Sequence, residues 1–251
     1  MKEQFALAAS PRILAHLDAA ADKAGLSRGQ AFDDFLTFVR CALAGQTMEE
    51  EYLMTVRKGY DRGEQGERGI DQVTLAFAKL VEAMDETQQD VLGDLFTGAI
   101  TYGERGQFFT PDSVVRLMAE LTAPADSEEG PRTINDPACG SGRTLLAIGR
   151  DHPDWEFVGQ DVDHRCAQMT AINLGLNGLR GWAVWQNTLS LECFRVYRIG
   201  LRLTNSGVIS EVPVEQSPFN CAPGKWSGIA STPREAYPPA AKGPTNQLGL
   251  F

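Results

Sequence analysis

The run Asp136-Pro137-Ala138-Cys139-Gly140-Ser141-Gly142 sets one carboxylate beside two glycines. Glycines so close together let a chain turn sharply and bring its backbone against a ligand that a side chain would push away. The segment Arg143–Arg150 reads as a helix, so its first free N–H groups point at the same spot. That end of a helix favours a carboxylate or a phosphate. About 20–25 residues after the turn comes Asp161, placed to accept hydrogen bonds from the two hydroxyls of a ribose. Together these types and spacings describe a nucleoside site with room for an acid group. Blander readings stay open for each residue: a structural glycine loop, and a solvated aspartate at a strand end. A dinucleotide site of the GxGxxG kind is disfavoured, because the run contains a single GxG.

Such a site needs strands to carry it. Thr133–Ala138, Glu156–Asp161 and Trp182–Thr188 read as strands, with helices at Arg143–Arg150 and Arg165–Leu176 between them. This alternation predicts an α/β fold, a parallel sheet wound with helices. A further helix is marked by Val114, Val115, Met118 and Leu121, and Gly207–Val212 is a candidate last strand. Residues 1–100 read as a helical domain. Ser10-Pro11 opens a helix through Ile13, Leu14 and Leu17, and Ser27 with Gln30 forms a capping box before Phe32, Phe35, Leu36, Val39 and Leu43. Thr47 with Glu50 repeats that signature, Gly59–Gly69 reads as a loop, and helices follow around Leu75–Met84 and Val91–Ile100. Residues 101–200 then form the α/β core. Residues 201–251, with seven prolines from Pro213 to Pro244, read as an irregular tail.

Composition narrows the class. The chain is 43% hydrophobic, enough for a real core, yet no stretch approaches the length of a membrane span. Five scattered cysteines without a CxxC pair predict free thiols in a reducing cytoplasm, no disulfide framework and no metal site. No secretory signal is visible at the N-terminus. A net charge of −10 without a basic stripe argues against a broad nucleic-acid-binding face.

The heptad Asp136–Gly142 resembles the cofactor motif of amino-methyltransferases, above all adenine-specific DNA methyltransferases of the type I modification-subunit kind. Gly106-Gln107-Phe108-Phe109-Thr110-Pro111, separated from Asp136 by 24 residues, resembles the segment that precedes that motif in the same family. The resemblance covers about residues 70–190. It implies a Rossmann-like methyltransferase sheet, incomplete here, and S-adenosylmethionine as cofactor. It implies cofactor contacts at Thr110 (methionine end), Asp136, Ala138, Gly140, Gly142, Asp161 (ribose), Val162 (adenine face) and Asn187. The family usually has an aspartate where Asn187 stands; asparagine keeps an acceptor oxygen for the adenine amino group. Thr110 before Pro111 is also a good helix N-cap.

The resemblance fails at the chemistry. The family carries a (Asp/Asn/Ser)-Pro-Pro-(Tyr/Phe/Trp) tetrapeptide that holds the flipped adenine, and residues 1–251 contain none. The nearest match, Ser217-Pro218-Phe219, lacks one proline, and ordinary turn residues are the alternative reading. Two outcomes follow. One is an adenine-specific DNA methyltransferase acting on DNA, completed by a partner modification or specificity subunit or by its own second copy. The other is a degenerate relative that binds the cofactor without transferring the methyl. A small-molecule or protein methyltransferase is disfavoured by the GQFFTP segment. A sheet edge left open after the third or fourth strand predicts a homodimer or a partner there.

Overall fold

The computed structural model describes residues 3, 5–101, 110, 112–122, 132–200 and 207–219. Helices fill the first part: α1 (Ser10–Ala24), α2 (Arg28–Leu43), α3 (Glu49–Val56), α4 (Gly69–Thr87) and α5 (Val91–Leu95). A π-helical turn over Phe96–Thr101 follows α5 directly. The capping box at Ser27 and Gln30 is present, with the Gln30 N–H donating to Ser27 Oγ at 3.3 Å.

Two other expected helix starts differ. Ala9, not Ser10, is the N-cap of α1. The Ser10 hydroxyl instead donates to Asp94 of α5 at 2.5 Å, and Asp94 also accepts the Ala6 and Leu7 N–H groups. The Ser10 side chain is thereby committed to a carboxylate of another helix and caps no first-turn N–H group. Thr47 lies in a 3₁₀ turn and donates to the Ala44 carbonyl, while α3 begins after Met48 without a side-chain cap.

The second part is a mixed α/β layer: α6 (Asp112–Thr122), β1 (Thr133–Asp136), α7 (Arg143–Asp151), β2 (Glu156–Asp161), α8 (His164–Leu176), β3 (Arg180–Asn187), β4 (Glu192–Ile199) and β5 (Ile209–Val212). Among the described residues these strands form one sheet in the order β1-β2-β3-β4-β5. β1, β2 and β3 are parallel, as the alternation of strands and helices predicts. The sheet is not wholly parallel, however, because β4 and β5 add as antiparallel strands. Of the two edges expected to be open, after the third or fourth strand, that of β3 is paired by β4, while β5, the strand expected at Gly207–Val212, is with β1 an outer strand of the described sheet. The proline-rich stretch 220–251 lies outside the described residues. Within the tail, Pro213 and Pro218 flank a 3₁₀ turn, Val214–Gln216.

One buried cluster runs through both parts. Ile13, Leu17, Phe32, Phe35, Leu80 and Leu92 from the helices join Phe157, Met169, Ile172 and Tyr197 from the sheet layer. α8 is the junction, packing on α2 from one side and on β2 and β3 from the other. A polar link crosses the same boundary. Arg40 of α2 is fully buried, pairs with Glu51 at 2.6 Å and lies 5.2 Å above the Tyr197 ring of β4. Among its described side chains α6 buries only Val115 and Ala119 and leaves Val114, Leu117, Met118 and Leu121 exposed. No described helix is long and apolar enough to cross a membrane.

His164, the first residue of α8, sits at this junction. Its Nε2 is 2.9 Å from the Tyr197 hydroxyl and its ring lies 4.5 Å from that of Trp185. Burial, and then the positive Arg195 and Arg40, lower its pKa from 6.5 to about 4. The unfolded chain therefore takes a proton near pH 6.5 that the folded one refuses until about 4. The stability His164 contributes is complete above 6.5 and is lost as pH falls through that window, by at most about 1.4 kcal/mol per pH unit for one proton. Thermal melts from pH 7 to 4 are expected to show this slope, and His164→Gln to flatten it. An unchanged slope in the variant would assign it to other groups.

Candidate cofactor site

β1 runs straight into the glycine turn, and the turn into α7. Gly140 and Gly142 both have left-handed backbone, φ +56° and +84°. A Cβ on Gly142 would lie 3.0 Å from Thr170 Oγ1, so the turn needs glycine for space as well as for conformation. Gly142 is the N-cap of α7 and offers no side-chain acceptor to the first free N–H groups. That end stays available to an anion.

α8 holds the turn from beneath. Thr170 Oγ1 donates to the Gly140 carbonyl at 3.0 Å, and Asn173 Nδ2 donates to the Ser141 carbonyl at 2.8 Å. Thr170 and Asn173 are fully buried. Sequence reading missed both; the signal was two polar residues three apart within an otherwise apolar helical stretch, which marks one face.

Asp161 ends β2 beside the turn. Its Oδ2 accepts the Gly140 N–H at 2.9 Å and its Oδ1 accepts the Asp163 N–H at 2.8 Å. Asp136 Oδ1 accepts the Ala138 N–H at 3.2 Å. Burial raises the pKa of both carboxyls, only partly offset by these N–H groups, and the negative Asp163 and then Asp136 raise Asp161 further. Asp163 caps α8 by accepting the Arg165 N–H at 2.9 Å. Val162, between the two aspartates, is 66% exposed. Its carbonyl accepts the Trp185 indole N–H at 3.0 Å, which sets an aromatic wall beside it. An open cleft of about 690 Å³ adjoins this end between α2 and α8, lined by Asp33, Lys58, Val162 and Gln168 among others.

The structure therefore brings Asp136, Ala138, Gly140, Gly142, Asp161 and Val162 to one end of the parallel strands. The Thr110 backbone joins them, its carbonyl accepting from Arg143 Nη1 at 3.2 Å. Gly106–Phe109 and Pro111 lie outside the described residues. Asn187 is at the tip of β3, but its Oδ1 accepts the Leu189 and Ser190 N–H groups at 3.0 and 3.2 Å and closes the turn into β4. An adenine amino group would compete with that turn for the oxygen.

Ser217, Pro218 and Phe219 lie elsewhere. The Ser217 hydroxyl donates to the Val214 carbonyl and accepts the Phe219 N–H, a local turn. Phe219 is buried against Val158, Val184 and Val196, its ring 5.7 Å from that of Trp182. Trp182 is five positions before Asn187, about 17 Å along a strand from the tips. The segment fills the core on that face and does not approach the glycine turn.

The described residues fit an S-adenosyl cofactor. An uncapped helix start suits a carboxylate, a carboxylate at the β2 tip suits ribose hydroxyls, and the exposed Val162 suits a flat ring. Among the described residues no cluster could hold a metal ion.

Comparison with known proteins agrees with this geometry. The chain is 33% identical over 102 residues to the type I restriction enzyme MjaVIII methylase subunit of Methanocaldococcus jannaschii, covering 38% of this chain and 17% of that protein. It is 39% identical over 77 residues to the type II methyltransferase M.XamI of Xanthomonas campestris pv. amaranthicola, covering 31% and 14%. It is 29% identical over 92 residues to the type I restriction enzyme EcoEI methylase subunit of Escherichia coli, covering 35% and 18%. The chain thus matches less than a fifth of the length of each of these relatives. The family described as N-6 DNA Methylase matches residues 87–221, a span that holds the glycine turn, both aspartates and all five strands. With more than half of its length in that match, the chain belongs to the N-6 DNA methylase family.

Proposed function

We propose that this chain is the S-adenosylmethionine-binding part of an adenine-specific DNA methyltransferase that works within a restriction-modification system. The observation that carries the reading is the meeting of the glycine turn, the open start of α7 and the Asp161 carboxylate at one end of the parallel strands. When bound, the cofactor supplies a sulfonium methyl group for transfer to an adenine amino nitrogen. The residues of this chain bind and orient. The start of α7 and the Thr110 region take the methionine carboxylate, the backbone of Ala138, Gly140 and Gly142 lines the ligand beside Asp136, and Asp161 accepts the ribose hydroxyls. Val162 packs on the adenine, and Asn187 reaches its amino group when the β3–β4 turn releases the oxygen.

Residues 1–100 serve as the helical packing domain, 101–200 as the cofactor core and 201–251 as the tail. The group that holds the flipped adenine comes from outside residues 1–251, since these contain no (Asp/Asn/Ser)-Pro-Pro-aromatic tetrapeptide. Contact with DNA falls largely to a partner subunit, in keeping with the net charge of −10. The complex works in the cytoplasm, where the buried thiols of Cys41, Cys139 and Cys166 stay reduced.

Competition tests the site. Bound methyl-labelled S-adenosylmethionine should be displaced by S-adenosylhomocysteine and not by NAD; displacement by NAD alone would overturn the reading. With the other modification subunits present, label should reach the N6 position of adenine in duplex DNA, and label on cytosine would contradict the adenine assignment. Sedimentation should show a dimer or a complex with those subunits. A monomer that ignores them would remove the partner from the account.

A further inference from the structure

Asp90 lies outside the strand tips, yet donors from the glycine turn, α7 and α8 converge on its carboxylate. It precedes α5 in the helical part, and its side chain is 1% exposed. One oxygen, Oδ1, accepts the Gly93 N–H at 2.9 Å and Asn173 Nδ2 at 2.8 Å. The other, Oδ2, accepts the Ser141 hydroxyl and Arg143 Nε at 3.1 Å. Gly93 must be glycine for this to happen, because a methyl group there would overlap both the Asp90 carboxylate and the Ser141 hydroxyl.

A helix cap needs only the Gly93 bond. The other three donors belong to the cofactor turn, to the first residue of α7 and to the buried face of α8. Arg143 extends the link, because its Nη1 donates to the Thr110 carbonyl while its Nε holds Asp90. A single carboxylate therefore fixes Ser141 directly, fixes the Ser141 carbonyl through Asn173, and orients the Arg143 side chain that holds the Thr110 carbonyl.

We propose that Asp90 is a positioning residue for cofactor binding, which locks the glycine turn in the geometry that accepts the ligand. The proposal rests on the reading of the strand tips as an S-adenosylmethionine site. Asp90 itself touches no ligand. Its effect arises because a turn held in advance loses less freedom when the ligand binds.

Asp94, one turn further along, provides an internal control. Its carboxylate also links distant segments, but these are Ala6, Leu7 and Ser10, none of them near the turn. A role confined to stability would make the two aspartates equivalent.

The test is calorimetric titration of the full chain with S-adenosylmethionine at 25 °C, with thermal melts alongside. Asp90→Asn should weaken binding about 10- to 100-fold, the loss expected for one or two charge-assisted hydrogen bonds. Asp94→Asn should lower Tm and leave Kd within about twofold of the wild type. Asn173→Ala is a second variant at a side chain too buried to reach a ligand, and it should weaken binding in the same direction if Asp90→Asn fails to fold. Equal loss of affinity in the Asp90 and Asp94 variants would overturn the proposal, as would wild-type affinity in folded Asp90→Asn or Asn173→Ala. Absence of binding by the folded wild type would overturn the site reading, and the role of Asp90 with it.

Discussion

Asp161→Ala should reduce affinity for S-adenosylmethionine at least about 100-fold, since it removes an ionised acceptor from a partly buried site. The carboxylate has two tasks. It offers oxygen to the ribose hydroxyls, and it already holds the Gly140 and Asp163 N–H groups. Its loss therefore also frees the glycine turn that faces the rest of the ligand. Asp161→Asn should recover only part of the affinity, because Gly140 and Asp163 donate to different carboxylate oxygens and an amide replaces one of these with an NH2 group that cannot accept. A pH series adds an independent check. Burial, and then the negative Asp163 and Asp136, hold the carboxyl above its ordinary pKa of 3.8. Affinity should accordingly fall on acidification at a higher pH than an ordinary aspartate would dictate. The ligand-free fold responds in the opposite sense, because the native carboxyl binds its proton more tightly than the unfolded one. Its stability from this group is greatest below pH 3.8 and declines as pH rises through the raised pKa. Calorimetry should show affinity falling on acidification, and the Asp161 share of stability should appear, against the opposite His164 slope, as the difference between wild-type and Asp161→Ala melts across pH 4–7. An Asp161→Ala variant that binds like the wild type would remove the ribose contact from the account.

The largest effect on stability is expected at Gly181. It pairs with Phe157 near the start of the β2–β3 ladder, at φ +154°. A Cβ there would overlap the backbone of Phe157, which cannot move aside as a side-chain tip would. Gly181→Ala should therefore cost more than about 4 kcal/mol, enough to consume most of the margin of a typical domain. Loss of the cooperative melt, or an insoluble product, is the expected outcome. Gly25→Ala is the reference: it also has left-handed backbone, φ +72°, but nothing lies within 4 Å of the added methyl. It should cost about 1 kcal/mol. A Gly181→Ala protein melting near the wild type would contradict the β2–β3 register.

What the sequence disclosed was local. The Asp136–Gly142 turn is contiguous and its two glycines are required by the backbone, so position and role could be read together. The three parallel strands were legible because they alternate with helical stretches and end at the glycine turn, at Asp161 or at Asn187. β4 was not, because Arg195 and Arg198 interrupt its apolar pattern. Both are accommodated only by tertiary partners, Arg195 by Glu211 and Glu51, Arg198 by Glu156 and the Trp182 ring. The engagement of Asn187 in the β3–β4 turn follows from that unseen strand. Asp90 and Asp94 lay hidden for the same reason. Each reads as one more acid in a short helical stretch, and their partners lie 51–88 residues away in sequence. Ser10 misled because a serine before Pro11 resembles a cap, while the acceptor that uses its hydroxyl comes from α5.

Titration of the purified 251-residue chain with S-adenosylmethionine, with circular dichroism to show that it is folded, tests the central claim most directly. The account predicts one binding site of micromolar affinity, occupied equally by S-adenosylhomocysteine. A folded chain that takes up neither ligand at millimolar concentration would contradict it, and the glycine turn, Asp161 and the start of α7 would then be a structural join between β1, β2 and α7.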